Sequence, residues 1–348
     1  MMSRLKFFLF FVVSIVLGAA PSAESQSSWE ALAQKLYPEA KKEGQFVAYS
    51  TNGNLAIGGD KGVAQFNKRF PGIKFNILTL GRPETFSRIV TESRGGKITM
   101  DATWDDPIPA KKLIDRGLVE KLNPNEITDQ PQKFKFLFES KLPVVGHSTN
   151  LFVYNTKLLA RTAAPKSYEA LLDPKWKGKI SMDARGPYGF SHLSLVWGEE
   201  RFWKFIKAFP SQTPIWATRC TDSTDKVVIG EAYIGCGSPR VDELIEQKAP
   251  IDYLALNPIL ARTLVFIPIK KSPHPNATKL LAAWLYSPEG IRAVGKTGYG
   301  LAIAGSPIYD RMKRLGGEFY YTDDLSLEQL DSMLKVREEI GNVWGVMK

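Results

Sequence analysis

The sequence predicts an α/β protein built in two units. Strand-like and helix-like segments alternate from Trp29 onward, a pattern of largely parallel sheets with helices on their faces. A length of 348 residues exceeds one typical domain and gives room for two cores. A strand pattern at 264–269, LVFIPI, follows a run of elements that starts near Thr149, and it reads as a return to the first unit.

In chain order, residues 28–43 are helical, with Pro38 as a kink or break and Gly44 as C-cap, and QFVAYS at 45–50 is the first strand. A helical stretch ends near Phe70, the strand IKFNILTL covers 73–80, and Pro83 opens the next helix. The strand DATW at 101–104 leads to a helix at 107–117. Asp105 and Asp106 between them read as a strand-end turn that caps this helix, in preference to a pair for acid–base work. The second unit opens with VYNTKLLARTAAPKSYEALLDPKWKGKISMD at 153–183, two short apolar strands joined by a proline-punctuated segment. There Pro165 and Ser167 open a short helix, Asp173 and Pro174 end it in a turn, and Gly178 turns the chain into a strand at 179–182. A helix at 188–208, a strand at 213–218, a helix at 222–230, the strand AYIGC at 232–236 and a helix at 239–247 complete the unit. After the return strand, 274–290 is a helix whose Ala277, Leu280, Leu281, Trp284 and Leu285 recur at core spacing.

Residues 1–25 read as a cleaved signal peptide: Arg4 and Lys6 precede an apolar run from Phe7 to Ala20 and the small residues AAPSA, with the cut between Ala20 and Ser25. The other reading is an anchor, but the run is shorter than the ~20 residues a membrane span needs. No cysteine follows the run, so no lipid attachment is expected and the protein is placed in the periplasm. The chain carries 46 Lys and Arg against 36 Asp and Glu. Such a balance suits nucleic acid, an anionic surface or an anionic ligand. The charges are scattered, with no basic run interleaved with aromatics, so no nucleic-acid partner is expected. Cys220 and Cys236, an even pair in an oxidising compartment, read as a disulfide closing a loop of about 16 residues and worth roughly 3 kcal/mol. Two buried thiols are the alternative; two thiols alone make no zinc site.

Several motifs imitate chemistry. Residues 290–297, GIRAVGKT, match the P-loop pattern, but they follow a helix where a P-loop must connect a strand to a helix. They read as a helix end closed by Gly295 and Gly298. Ser223-Thr-Asp-Lys226 with Lys296-Thr-Gly298 echoes the serine β-lactamase set, without the intervening Ser-x-Asn element. His147, His192 and His274 lie far apart, and His274 reads as a capping or packing residue. What remains is polar residues at strand-to-helix junctions, where α/β proteins place ligands. These are Ser50, Thr51 and Asn52; Gly81 and Arg82; Trp104 and Asp105; Asp183, Arg185, Gly186, Tyr188 and Gly189; Thr218 and Arg219; and Ser238 and Arg240. Arginine forks beside helix N-termini suit carboxylate or phosphate. A small anionic solute is therefore expected, with no cofactor and no metal.

The segment 153–183 resembles a signature of bacterial extracellular solute-binding proteins, the capture components of ABC importers. The matching residues are Tyr154, Asn155 and Thr156, then Pro165, Ser167 and Tyr168, then Leu171, Leu172, Asp173, Pro174, Trp176, Gly178 and Ile180. LYPEAKKEGQFVAYST, FSRIVTESRGGKITMDATWDDP and KKSPHPNATKLLAAWLYSPEG resemble further parts of the family, in the subgroup that includes ferric-ion and phosphate-ester binders. The resemblance implies a type II periplasmic-binding-protein architecture with a hinge of two crossover strands, residues 26–148 and 256–348 forming one lobe and 149–255 the other. It also implies a monomer without enzymatic activity, which closes on its solute and delivers it to the membrane subunits of an ABC permease. Ferric-ion binders of the family carry two adjacent tyrosines after a second-lobe strand and commonly a histidine after the first strand. The matching places here read Gly237-Ser238-Pro239-Arg240 and Ser50-Thr51-Asn52, and the Tyr320-Tyr321 pair lies elsewhere. This departure favours an anion. A ferric-ion binder using other ligands or a synergistic anion is the second reading, and a secreted serine hydrolase built on Ser223 and Lys226 is the reading from another class.

Overall fold

The computed structural model describes residues 23–346, apart from 51, 52, 54, 139–141, 150, 185–189 and 317. The expected signal segment therefore lies outside the described residues up to residue 22, as do Thr51, Asn52, Arg185, Gly186, Tyr188 and Gly189. A first group of strands comprises β1 (Gln45–Ser50), β2 (Lys74–Thr79), β3 (Ala102–Asp105), β4 (Phe136–Leu137) and β5 (Leu142–Thr149). A second comprises β6 (Phe152–Asn155), β7 (Ile180–Asp183), β8 (Ile215–Ala217), β9 (Ile234–Cys236) and β10 (Ile251–Leu254), after which the chain returns as β11 (Ile259–Pro268) and β12 (Phe319–Tyr321). One sheet has the order β2-β1-β3-β11-β5-β4 with β12 also on β11, and the other the order β10-β6-β9-β7-β8. The α/β expectation holds, and both sheets are mixed: β1 lies parallel to β2 and β3, while β11 runs antiparallel to β3 and β5.

The chain crosses between the sheets from Thr149 to Phe152 and again from Leu254 to Ile259. It then passes back a third time. After β12 the helix Leu327–Trp344 packs on the second core, where Ile340 and Trp344 join Phe190, Phe205 and Phe209. Trp344 donates its indole N–H to the Ile206 carbonyl at 2.7 Å, with its ring 5.0 Å from that of Phe209. The first core is built around Phe46, Phe66, Trp104, Phe266 and Trp284.

Three expected helices differ in detail. The segment after Pro165 forms a 3-10 turn at Glu169–Leu172, although the Ser167 hydroxyl does accept the Ala170 N–H at 3.2 Å as a cap would. The pattern at 188–208 breaks at Gly198, whose φ of 75° and ψ of 162° separate Leu193–Trp197 from Glu199–Ala208. The pattern at 274–290 ends at Ser287, which caps a new helix, Pro288–Val294, by accepting the Gly290 N–H.

One buried carboxylate ties the first sheet to its covering helix. Asp101 is fully buried. It accepts the Val47 N–H at 2.6 Å and the His274 N–H at 2.8 Å, and pairs with His274 Nδ1 at 2.8 Å. His274 occupies the N-cap position of Pro275–Tyr286, so its expected structural role is observed.

Cys220 and Cys236 are joined by a disulfide across 16 residues, linking the start of the helix Cys220–Val228 to the end of β9. Reduction is expected to lower stability by roughly 3 kcal/mol, read as a lower urea midpoint in dithiothreitol. An unchanged midpoint would contradict this. No helix among the described residues is long and apolar enough to cross a membrane.

Candidate functional site

Strand directions decide where the polar junctions go. β5 runs toward the crossing at Thr149; β3 is antiparallel to β11, which is antiparallel to β5, so β3 and its parallel neighbour β1 also end on the crossing side. In the second sheet β6 starts at the crossing and β9 is antiparallel to it, with β7 and β8 parallel in turn. The carboxyl ends of β7, β8 and β9 therefore face back toward the first sheet. This gives two opposed rims of strand ends, the place where open α/β sheets bind ligands.

On the first rim Arg82 makes a fork on Asp105, Nε to Oδ2 at 2.8 Å and Nη2 to Oδ1 at 2.5 Å. Its Nη2 also lies 2.9 Å from Asp106 Oδ2. From the neighbouring strand Arg262 reaches the same carboxylate, with Nε 3.2 Å from Asp106 Oδ1. Burial, then the like charge of Asp106, pushes the Asp105 carboxyl up, and the Arg82 guanidinium opposes them. Tyr299 belongs to the same neighbourhood. Its ring is 5% exposed, burial raises its phenol, and Arg262, Asp106, Arg82 and Asp105 all act on it. It is consequently a neutral donor at neutral pH, and its hydroxyl makes no hydrogen bond among the described residues.

The expected capping by Asp106 is corrected here. It holds the N-cap position of Pro107–Ile114, but its side chain makes no cap hydrogen bond; the two guanidiniums take it instead. The other first-rim residues lie deeper. Ser50 is fully buried and Trp104 is 1% exposed within the first core.

On the second rim Asp183 is buried at the end of β7. Thr218 and Arg219 are exposed, and Arg219 precedes the helix Cys220–Val228. Ser238 is buried: its N–H donates to Thr224 Oγ1 at 2.9 Å and its hydroxyl accepts the Arg240 N–H at 3.3 Å. The Arg240 side chain is 48% exposed, with Nε 3.6 Å from Glu243 Oε2. The two rims meet at Gly298: with φ of +73°, a side chain there would set its Cβ 3.1 Å from the Pro239 Cα. The loop carrying Ser238 and Arg240 is thereby brought beside Tyr299 and the Arg82–Asp105–Asp106–Arg262 group.

Arg262 and Tyr299 were not legible in the sequence. Arg262 sits in a strand that reads as core, ILARTLVFIP, and becomes a rim residue only because β11 lies beside β3. The available signal was that Arg262 is the single charged residue in that strand.

The residues of the imitating motifs are engaged in structural contacts. Ser223 is fully buried, its hydroxyl donating to the Ser181 carbonyl at 3.0 Å and accepting the Cys236 N–H at 3.1 Å. Lys226 instead pairs with Glu231 at 2.6 Å. Neither is arranged as a nucleophile with its base, which removes the hydrolase reading built on them. In 290–297 the helix Pro288–Val294 runs into a turn, and the Thr297 hydroxyl donates to the Leu55 carbonyl at 2.9 Å. Tyr321 packs edge-on against His147 with ring centres 5.2 Å apart. Among the described residues no group of three or more His, Cys, Asp or Glu side chains is placed to hold a metal.

Residues 109–217 match the family described as bacterial extracellular solute-binding protein. The resemblance read from 153–183 falls inside that match and is borne out by it. No curated protein matches the chain. Among solved structures, iron-bound HitA from Pseudomonas aeruginosa aligns over 85% of this chain and 99% of its own, with 17% identity and a TM-score of 0.67. The substrate-binding protein of an ABC transporter from Agrobacterium tumefaciens aligns over 86% and 94%, with 16% identity and a TM-score of 0.68. AfuA from Actinobacillus pleuropneumoniae, with fructose 6-phosphate bound, aligns over 86% and 97%, with 19% identity and a TM-score of 0.61. At these identities the likeness establishes a shared periplasmic-binding-protein fold.

Proposed function

We propose that this chain is the solute-binding component of an ABC importer, and that it takes a small solute bearing an anionic group into the cleft between its two rims. The observation that carries the reading is the meeting of the rims at Gly298 and Pro239, with arginines on both sides. Closure of the lobes about the crossovers brings both sets onto one molecule, so that contacts from each stabilise the closed form. The closed, loaded monomer then delivers its cargo to the permease in the membrane, with the segment 1–25 directing export to the periplasm.

Two features support an anion. The helices Arg82–Arg94 and Cys220–Val228 begin on opposite rims without a side-chain cap, so their first N–H groups remain for other acceptors. Arg82 and Arg262 are neutralised by Asp105 and Asp106 and act as oriented donors, alongside the Tyr299 hydroxyl. The balance of positive charge then falls to the second rim, on Arg219 and Arg240, with Arg185 and Tyr188 proposed to join them and Thr51 and Asn52 proposed for the first rim. Iron held by tyrosines is disfavoured by Ser238–Arg240 standing where the family's tyrosine pair stands.

A thermal-shift screen over sugar phosphates, phosphonates, carboxylates and ferric citrate tests the proposal. An anionic solute at 100 times its dissociation constant is expected to add about 2.7 kcal/mol of stability. A response confined to neutral sugars or to cations would overturn the anionic reading.

A further inference from the structure

A polar contact joins the lobes beside the second rim, two residues beyond Arg240. The helix Pro307–Leu315 starts at Ser306, whose hydroxyl accepts the Tyr309 N–H at 3.1 Å. It rests on the first lobe: Pro307 abuts Gly295, and Ile308 abuts Gly300. Its Arg311 is 4% exposed and forms an ion pair with Asp242, in the first turn of the second-lobe helix Val241–Glu246. Tyr253 on β10 donates its hydroxyl to Asp242 Oδ1 at 2.9 Å, and the Arg311 guanidinium lies 5.1 Å from the Tyr253 ring centre. Asp242 is thus positioned by its own lobe and reaches across to a cation of the other.

The arrangement is asymmetric in what it tolerates. Arg311 Nε has no hydrogen-bond partner, and Asp242 is the only carboxylate paired with Arg311 among the described residues. Burial, with Arg314 nearby, lowers the guanidinium to about 10. A buried cation that loses its counter-charge is strongly unfavourable. If the carboxylate is neutralised, the cheapest response is for the lobes to part and let water reach Arg311.

We propose that the Arg311–Asp242 pair, held by Tyr253, is an interlobe clasp that draws the unliganded chain toward its closed form. It sets solute affinity without touching the solute. The proposal rests on the hinge-closure reading above. Because only the competent fraction of the population binds, weakening the clasp lowers affinity for every solute by the same factor and leaves the ranking of solutes unchanged.

Small-angle X-ray scattering on the full chain, freed of solute at neutral pH, tests the clasp without knowledge of the cargo. Asp242→Asn is expected to increase the radius of gyration over wild type, and Arg311→Met combined with Asp242→Asn, which removes the stranded cation without restoring the attraction, to stay above wild type as well. A merely structural ion pair predicts something else: a lower melting temperature in Asp242→Asn with the wild-type radius of gyration. That result overturns the proposal, and so does a double variant with the wild-type radius of gyration. Tyr253→Phe, which removes one hydrogen bond to Asp242, gives a smaller expansion in the same direction. Should Asp242→Asn fail to fold, an unchanged radius of gyration in Tyr253→Phe overturns the clasp. The thermal-shift screen on wild type does not depend on these variants, so failure of the clasp and failure of the solute-binding reading are told apart.

Discussion

Replacement of Asp101 by alanine is expected to lower the stability of the fold by about 3–5 kcal/mol. The carboxylate is fully buried and takes the Val47 N–H, the His274 N–H and His274 Nδ1, all within 2.8 Å. Its loss leaves these groups without a partner in the interior, and each such group costs about 1–3 kcal/mol. It also unties β1 from the start of Pro275–Tyr286, the helix whose Trp284 fills the first core. Urea unfolding with an unchanged m-value reads the loss directly. A change below about 1 kcal/mol would show that water or a repacked neighbour replaces the carboxylate.

Arg82→Ala is expected to act on stability and on binding together. Asp105 is 7% exposed and depends on the Arg82 fork. Removing one partner of such a pair typically costs about 3–5 kcal/mol. The Asp105 carboxyl, already raised by burial and by Asp106, loses the guanidinium that opposes them and rises further. A carboxyl whose folded value lies above its unfolded value is best tolerated when protonated, below the unfolded value, and its penalty grows as pH rises through the folded value. The stability gap between Arg82→Ala and wild type should therefore narrow in acid and widen toward neutral pH. A gap independent of pH would mean that Asp105 keeps another counter-charge. Binding is expected to fall as well, because the first rim loses the group that orients both carboxylates.

The class of fold was legible because its signals are local. Pro165, Ser167, Asp173, Pro174 and Gly178 fix turns by their own backbone preferences, and the alternation of strand and helix patterns needs no partner to be read. The disulfide was legible from two cysteines and an expected export signal. The breaks at Gly198 and Ser287 were readable in principle, since a glycine at positive φ and a serine before a proline both interrupt helices. The rim was only half legible. Arg82 and Asp105 follow strands directly, whereas Arg262 and Tyr299 reach the site through the pairing of β11 with β3 and the turn at Gly298. Arg311 was hidden for the same reason. Its partner Asp242 lies 69 residues away, and no local pattern announces a contact between lobes. The helix Leu327–Trp344 shows the same limit, as its attachment to the second core depends on where Trp344 lands.

The central claim is that one solute is gripped from both rims. Calorimetric titration of wild type, Arg82→Ala and Arg240→Ala with the strongest anion from the thermal-shift screen tests it most directly. The account predicts one site per chain and weaker binding in both variants, whose altered residues lie on different lobes. Unchanged affinity in either variant would contradict it, because the solute would then be held by one lobe alone.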